Sequence, residues 1–300
     1  MMSEHSPGSS GSIGGLKFPS PTSYFTIVVR QFVRDRAAVV GLVLSVLFVL
    51  TAIFAPLIAP HDPYAIAPAR SLQGPSHEYL LGTDELGRDM LTRLLLGARI
   101  TLVITLGAVM LSLGAGASLG LIAGFYGGKV DTVIMRGIDV LMAMPGFLLA
   151  IGIIAALGVG TSNLIIAVGV YSIPAFARIA RGSTLSVKAE EYVTAAQSIG
   201  ASNWRIMVRH ILPNIMPPLV VQTSLRMATA ILTASGLSFL GLGPQPPTPE
   251  WGAMLSAGRD YMTLAPLFVA VPGLAILVVT LSFNLLGDGL RDSLDPRLRR

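Results

Sequence analysis

Two charged residues lie well inside long apolar runs of the sequence, where charge is unusual. Asp139 stands six residues into the run that begins at Val133, and Arg226 stands seven residues into the run that begins at Leu219. At about 1.5 Å per residue of helix, each charge would lie roughly 10 Å from the start of its run. Charged groups within a membrane usually face a cavity or each other. The matching depths therefore predict an ion pair between Asp139 and Arg226. The alternatives are a pair of Asp139 with Arg136, and an Arg226 side chain that extends towards water.

Patterns for catalysis or metal binding are absent from the sequence. It contains no Gly-x-x-x-x-Gly-Lys-Ser/Thr loop for a nucleotide, and it has no cysteine. Its histidines, His5, His61, His77 and His210, are too dispersed for the spacing of a metal site. No nucleophile can be placed beside a base. The sequence thus predicts no catalytic residue, no metal and no cofactor in this chain; any nucleotide and its Mg²⁺ would have to be bound by another polypeptide.

The composition is that of a membrane protein. Of the 300 residues, 52% are hydrophobic and 12% are charged, whereas soluble domains carry about 25% charged residues. The net charge of +5 is scattered between the apolar runs, which indicates loops of a membrane protein and not a nucleic-acid surface. The first 22 residues are rich in Ser, Gly and Pro, which predicts a disordered tail without a signal peptide.

Six apolar runs are long enough to cross a bilayer, which needs about 20 apolar residues per helix. They predict an all-α membrane domain over 37–287, with an N-terminal tail over 1–36 and a C-terminal tail over 288–300. Outer loops are predicted over 60–99 and 241–264, and four prolines favour an extended chain in the second loop. The predicted spans are Ala37–Ala59, Ile100–Phe125, Val133–Leu157, Leu164–Ala180, Leu219–Leu240 and Ala265–Leu286.

The distribution of lysine and arginine predicts the orientation of these spans. With the N-terminus inside, the cytoplasmic segments hold fifteen of the 21 Lys and Arg residues, the outer segments hold five, and Arg226 lies within a span. Both termini are therefore predicted to be cytoplasmic. The polar segment 188–213, between the fourth and fifth spans, then also faces the cytoplasm.

This polar segment has the pattern of two short helices. Residues 189–199 are rich in Ala, Glu and Gln, and Gly200 can adopt the left-handed conformation that ends a helix. Ser202 can cap a second helix over 203–211, which Pro213 would end. Two short helices joined at a glycine predict a compact docking element.

The same segment resembles the EAA loop of ABC importer permeases, which docks on an ATPase subunit. It carries Ala-Ala-x-x-x-Gly, nine further residues, and then x-x-Leu-Pro. Trp204 suits an apolar groove of such a partner, because large aromatic side chains anchor interfaces. The Glu that usually precedes the two alanines is Thr194 here, and the alternative role is an amphipathic loop on lipid headgroups. The contact residues that the resemblance implies are Glu191, Ala195, Ala196, Gly200, Ala201, Trp204, Arg205, Leu212 and Pro213.

Three further segments resemble, in order, the C-type subunits of dipeptide/oligopeptide permeases, so that the resemblance covers roughly 37–297. The second segment is 236–253, which ends in Glu-Trp-Gly-Ala, and the third is the tail segment 284–296. The first is an outer motif made of Gly82, Thr83, Asp84, Gly87, Arg88 and Asp89.

The outer motif has two interpretations, a structural cap on the helix bundle or a contact for a substrate-binding protein. Asp84 and Arg88 are spaced for an ion pair on a helix face. Met90 and the leucines that follow it predict an apolar face along the outer membrane surface.

The resemblance implies a type I ABC importer permease fold and a role as one membrane subunit of an ATP-driven importer. The expected partners are a second, homologous permease subunit, two ATP-binding subunits, an extracytoplasmic substrate-binding protein and membrane lipid, without nucleic acid. The expected cargo is di- or oligopeptides, or related solutes such as glutathione or nickel chelates. The expected location is the cytoplasmic (inner) membrane of a bacterium or archaeon.

A secondary transporter or channel that works without an ATPase is the alternative function. Such carriers use intramembrane carboxylates for ion coupling and often show two matched halves, whereas this chain has one deep carboxylate and no clear repeat. An intramembrane enzyme is the third class, and no residue pattern supports it. Glycines at 107, 114, 116 and 120 predict close helix packing, and prolines at 145, 174, 217, 218 and 272 predict bends.

Overall fold

The computed structural model describes residues 21–294, and in that part of the chain every long element is a helix. The predicted tail up to residue 20 and the last residues of the tail motif, 295–296, lie outside the described residues. The helices are α1 Pro21–Arg34, α2 Arg36–Ile58, α3 Met90–Tyr126, α4 Gly128–Ala143, α5 Gly146–Leu157, α6 Thr161–Lys188, α7 Glu191–Ser198, α8 Asn203–Ile206, α9 Leu212–Phe239, α10 Trp251–Gly258 and α11 Pro266–Leu294.

Six spans are present if the bent pair α4 and α5 counts as one. The structure has five helices that are long and apolar enough to cross a membrane within residues 21–294, and α4 and α5 together form a sixth span that is bent by 91°. Met144 and Pro145 make the break, with extended backbone between the two helices. Proline has no N–H and disfavours helix in the residue before it, so the third predicted span is two helices rather than one.

Four of the other five spans are longer than the apolar runs that predicted them, whereas α2 has the predicted length. Helix α3 begins at Met90 rather than at residue 100, and α11 continues to Leu294. Pro174, Pro217 and Pro218 lie inside continuous helices. The second outer loop contains α10 after its prolines, and its first half has no helix but forms turns rather than an extended chain.

Helices α3 and α6 touch along a seam of small residues. A Cβ at Gly116 would lie 2.7 Å from the carbonyl oxygen of Ile173, one at Gly120 would overlap the carbonyl oxygen of Ala177, and one at Gly124 would lie 2.8 Å from the Thr184 Cβ. Four-residue spacing puts the three glycines on one face of α3. The seam therefore brings the two backbones into contact, as small residues do between membrane helices.

Helix α10 fills a gap between α3 and α9 on the side of the outer loops. The indole nitrogen of Trp251 donates to the carbonyl oxygen of Leu94 at 2.9 Å, and a Cβ at Gly97 would lie 2.8 Å from the Trp251 ring. Glu250 caps the helix by accepting from the backbone N–H of Ala253 at 2.9 Å. Its side chain is buried, and burial raises the pKa of this carboxyl.

The α3–α6 seam gives a prediction for Gly120→Ala. The added methyl group must displace the α6 backbone, and overpacking of this kind costs about 1–3 kcal/mol. We expect a lower melting temperature of the purified protein in detergent. Gly114→Ala, on the same helix with no atom within 4 Å of its Cβ, is the matched control and should melt as the wild type does. Equal melting of both variants would show that the helices do not touch along this seam.

The buried Glu250 gives a prediction for pH. Its folded-state pKa is raised above the unfolded one, so its contribution to stability is fully present below the ordinary glutamate pKa of about 4.3 and is lost as pH rises through the folded pKa. Because Gln cannot ionise, Glu250→Gln should gain stability relative to the wild type as pH rises. The check is the difference in melting temperature across pH 4.5–8, with Glu191→Gln on the surface as the control. A difference that stays constant with pH would contradict the assignment.

Candidate functional site

The polar segment 188–213, here called the coupling loop, begins with a helix that ends as predicted. In α7, the N–H of Gly200 donates to the carbonyl oxygen of Gln197 at 3.0 Å and the N–H of Ala201 donates to that of Ala196 at 3.1 Å. This pair of bonds is the Schellman motif. Gly200 has φ +79°, a left-handed conformation that glycine adopts at little cost. The prediction of a helix stop at Gly200 is thus confirmed.

The second half of the coupling loop does not end at Pro213, and here the sequence prediction was wrong. The side chain of Ser202 caps α8 as expected and accepts from the N–H of Arg205 at 3.4 Å. A wider π-helical turn, Met207–Ile211, then leads directly into α9. Pro213 lies in the first turn of α9, where the missing N–H is not needed. The loop is therefore continuous with the fifth span.

The coupling loop has one buried apolar face and one exposed apolar face. The buried face is made by Val193, Ala196, Ile206, Met207 and Ile211, which pack against the bundle. On the other face Ile199 is 86% exposed and Trp204 is 72% exposed. Exposed apolar side chains on an ordered element are typical of a protein contact.

The remaining predicted contact residues fall on both sides of this element. Glu191, Ala195, Arg205 and Pro213 are exposed, whereas Ala201 and Leu212 are half-buried against the core. Near the bend, Gly200 and Arg205 are exposed as well as Trp204. The structure thus assigns Ala196 to packing and leaves the exposed residues for a partner.

The base of the coupling loop is fixed to the bundle. The Lys188 ammonium donates to the carbonyl oxygen of Phe125 and lies 5.5 Å from the centre of the Phe125 ring. This contact joins the end of α6 to the end of α3. Within the loop, the rings of Tyr192 and His210 lie 6.4 Å apart. A force on the exposed face would therefore be transmitted to the long helices.

The outer motif is a buried turn held by ion pairs. The Asp84 carboxylate accepts from the backbone N–H and the guanidinium of Arg88 at 2.9 and 2.6 Å, and it lies 3.3 Å from the Arg93 guanidinium. Asp89 caps α3 by accepting from the N–H of Thr92 at 2.9 Å. Burial and the neighbouring Asp84 carboxylate raise the pKa of Glu85. The backbones of Thr83 and Asp89 form an isolated antiparallel β-bridge across the turn.

These contacts correct two expectations for the outer segment. The Asp84–Arg88 pair exists, but it closes a turn rather than a helix face, since Gly82 and Gly87 take positive φ there. Met90 is buried at the start of α3 and does not lie along a membrane surface. Because Asp84 is only 1% exposed, the motif supports the interpretation of a structural cap.

The two intramembrane charges do not form the predicted pair. Asp139 lies 2.9 Å from the Arg178 guanidinium on α6. The side chain of Arg226 has no ion pair within residues 21–294 and lines a cleft that it shares with Arg178. The prediction was wrong because charges at matching depth on two spans need not lie on neighbouring helices. The partner of Asp139 is Arg178, which lies near the end of the fourth predicted span.

Further residues of the site also escaped the sequence prediction. Arg181 on α6 makes two bonds of 2.5 Å to the Asp131 carboxylate on α4. Their sequence separation of fifty residues gives no local signal. Glu250 belongs to the segment 236–253 that carries the resemblance, but its capping role was not predicted, although a polar residue before an apolar helix start signals a cap. No cluster of metal-ligating side chains occurs in the part of the chain that the structure describes.

Two family models match the chain. Residues 116–300 match the binding-protein-dependent transport system inner membrane component, and residues 23–75 match the N-terminal transmembrane domain of oligopeptide transport permease C. Together they include the coupling loop, Arg178 and Arg226, and the first span.

Similar proteins cover nearly the whole chain. The di/tripeptide transport system permease protein DppC of Pseudomonas aeruginosa is 46% identical over 95% of both chains. The dipeptide transport system permease protein DppC of Alkalihalophilus pseudofirmus is 44% identical over 94% of both. The glutathione transport system permease protein GsiD of Pectobacterium atrosepticum is 47% identical over 90% of both.

A solved structure shares the fold. The inward-facing MetNI methionine ABC transporter matches with a TM-score of 0.55 at 17% identity, over 69% of this chain and 98% of that one. The bundle is thus that of a type I importer permease. The family models and relatives together show that the chain belongs to the family of binding-protein-dependent transport system inner membrane components, as a C-type permease subunit of an ATP-driven importer in a bacterial inner membrane.

Proposed function

We propose that this chain forms half of a peptide-conducting pathway and is driven by ATPase subunits that bind its coupling loop. The other half is a second permease subunit of related fold. Two ATP-binding subunits dock from the cytoplasm, and a substrate-binding protein delivers cargo from outside. In this proposal both chain termini and the coupling loop lie on the cytoplasmic side, which the excess of Lys and Arg in those segments favours.

The exposed apolar face of the coupling loop is the observation that carries this proposal. Ile199 and Trp204 project from a segment whose opposite face is packed into the bundle. A loop lying on lipid headgroups would not need the Schellman stop, the Ser202 cap and the Lys188 anchor that give this segment one shape. A rigid docking element does need them, because order gained before binding lowers its entropic cost.

ATP is bound and hydrolysed by the partner subunits and not by this chain. The sequence has three lysines and no phosphate-binding loop, so Mg²⁺ and the nucleotide belong to the ATPases. Closure of the ATPases displaces the coupling loop, and the loop is covalently continuous with α6 on one side and α9 on the other. The displacement changes the tilt of these helices and exchanges outward for inward access.

Small peptides are the cargo class that the relatives favour. Two of them are named for dipeptides or tripeptides and one for glutathione, which is itself a tripeptide. Peptides of this size share a short backbone with charged ends, whatever their side chains. The binding protein selects among them, and this chain contributes a passage that accepts their common features.

The test of the docking face is co-purification of the ATPase subunits with Trp204→Ala and Ile199→Ala variants of this chain. Removing one interface anchor costs about 2 kcal/mol or more, so we expect the ATPase yield and ATP-driven peptide uptake to fall at least about tenfold. Leu264→Ala, which removes an equally exposed side chain (79%) from the outer segment, is the matched control. Each variant is compared with the wild type in melting temperature to confirm folding.

The opposite result is equally informative. ATPase subunits that remain bound to both variants would show that the loop is not the docking site. Uptake that continues under a proton gradient after the ATPase subunits are removed would instead favour a carrier that acts alone.

A further inference from the structure

We propose that Arg226 binds the C-terminal carboxylate of the peptide as it crosses the membrane, an assignment that rests on the proposed peptide cargo. The site is an open cleft of about 300 Å³, here called the arginine cleft, which is lined by Arg226 on α9, Arg178 and Tyr171 on α6, and Met142 and Met144 at the break between α4 and α5. The cleft therefore lies beside the 91° bend of the third span.

The charges around the cleft leave one positive charge unbalanced. Arg181 is paired with Asp131, and Arg178 is paired with Asp139. Of the three arginines that line this cleft and the cavity that shares Arg178 with it, Arg226 is therefore the one without an ion pair or a side-chain hydrogen bond among residues 21–294. An unpaired charge in an apolar span is costly and normally faces a cavity or an ion. The excess of one positive charge fits one carboxylate.

The shape of the Arg226 guanidinium also fits a carboxylate. A guanidinium presents two parallel N–H donors that match the two oxygens of a carboxylate. The adjoining cavity of about 380 Å³ contains Asp139 and shares Arg178 with the arginine cleft. Because Asp139 is already paired with Arg178, it leaves Arg226 as the group in the cleft that can bind a carboxylate. Ligand sites of roughly 300–1,000 Å³ are usual for small molecules, so the cleft holds one end of a peptide and not a long chain.

The test uses the complete transporter in proteoliposomes and the dipeptide Ala-Ala. Arg226→Gln should lower ATP-driven uptake at least about tenfold, whereas Arg226→Lys, which keeps the charge, should retain more uptake than Arg226→Gln. Arg259→Gln, in the outer segment, is the control. ATP hydrolysis stimulated by the loaded binding protein is measured in parallel and should persist. Uptake that is unchanged in Arg226→Gln would refute the assignment.

A second measurement leaves Arg226 intact and does not depend on how that variant folds. The chain has no cysteine, so Met144→Cys gives a single thiol in the cleft, and Met262→Cys gives a control thiol in the outer segment. Ala-Ala should slow methanethiosulfonate labelling at position 144 but not at 262, and its C-terminal amide should protect much less. Equal protection by both peptides, or protection by neither, would overturn the carboxylate site.

The two assignments fail in different ways. If the wild-type transporter carries no peptide at all, the cargo class is wrong and the carboxylate site falls with it. If it carries Ala-Ala but Arg226→Gln separates the two permease subunits and Ala-Ala gives no protection, then Arg226 pairs with the second subunit. In that case the peptide cargo stands and only the cleft assignment is lost.

Discussion

Backbone contact between α3 and α6 is the constraint on which the rest of the structure depends. Lipid tails are as apolar as leucine, so membrane helices associate by close packing rather than by escape from water. Gly116, Gly120 and Gly124 provide that packing over about two turns of α3. Lys188 then joins the ends of the two helices by binding the carbonyl oxygen of Phe125. The two helices form one rigid body, and the coupling loop is attached to its end.

The coupling loop joins α9 less rigidly than it joins α6. This difference determines which helix moves when the loop is displaced. A cavity of about 840 Å³ lies beside the first turns of α9, lined by Pro213, Pro217 and Pro218 together with Arg291 of α11. The π-helical turn before α9 also has a wider hydrogen-bonding pattern, of a kind often found at functional positions. A displacement of the loop is therefore expected to move α9 relative to the α3–α6 body. Arg226 lies on α9 and Arg178 on α6, so the same movement would change the width of the arginine cleft.

Local sequence patterns predicted the features that depend on local physics. The stop at Gly200 and the cap at Ser202 follow from backbone conformation and one side-chain oxygen, and both were found as expected. The number of spans followed from apolar length. Ion-pair partners on different helices could not be predicted in this way, because the position of Asp139 in its span does not say which of the other spans it faces. The break at Pro145 and the continuation through Pro213 show the same limit, since a proline either ends a helix or begins one according to what its neighbours satisfy.

The two clusters of charged residues in this chain, the outer motif and the arginine cleft, differ in which groups neutralise their charges. In the outer motif, Asp84 binds both Arg88 and Arg93, and the guanidinium of Arg93 also donates to the carbonyl oxygens of Pro63 and Pro247. That network is buried and closed by the protein's own groups, so it fixes the entry to α3 and has little capacity to bind anything else. At the arginine cleft the Asp139–Arg178 pair is about half exposed and Arg226 stands beside it without a carboxylate of its own. A charge without a partner among the described residues can bind a carboxylate that enters the cleft, and this is the physical reason to look for substrate recognition at Arg226 rather than at the more densely charged outer motif.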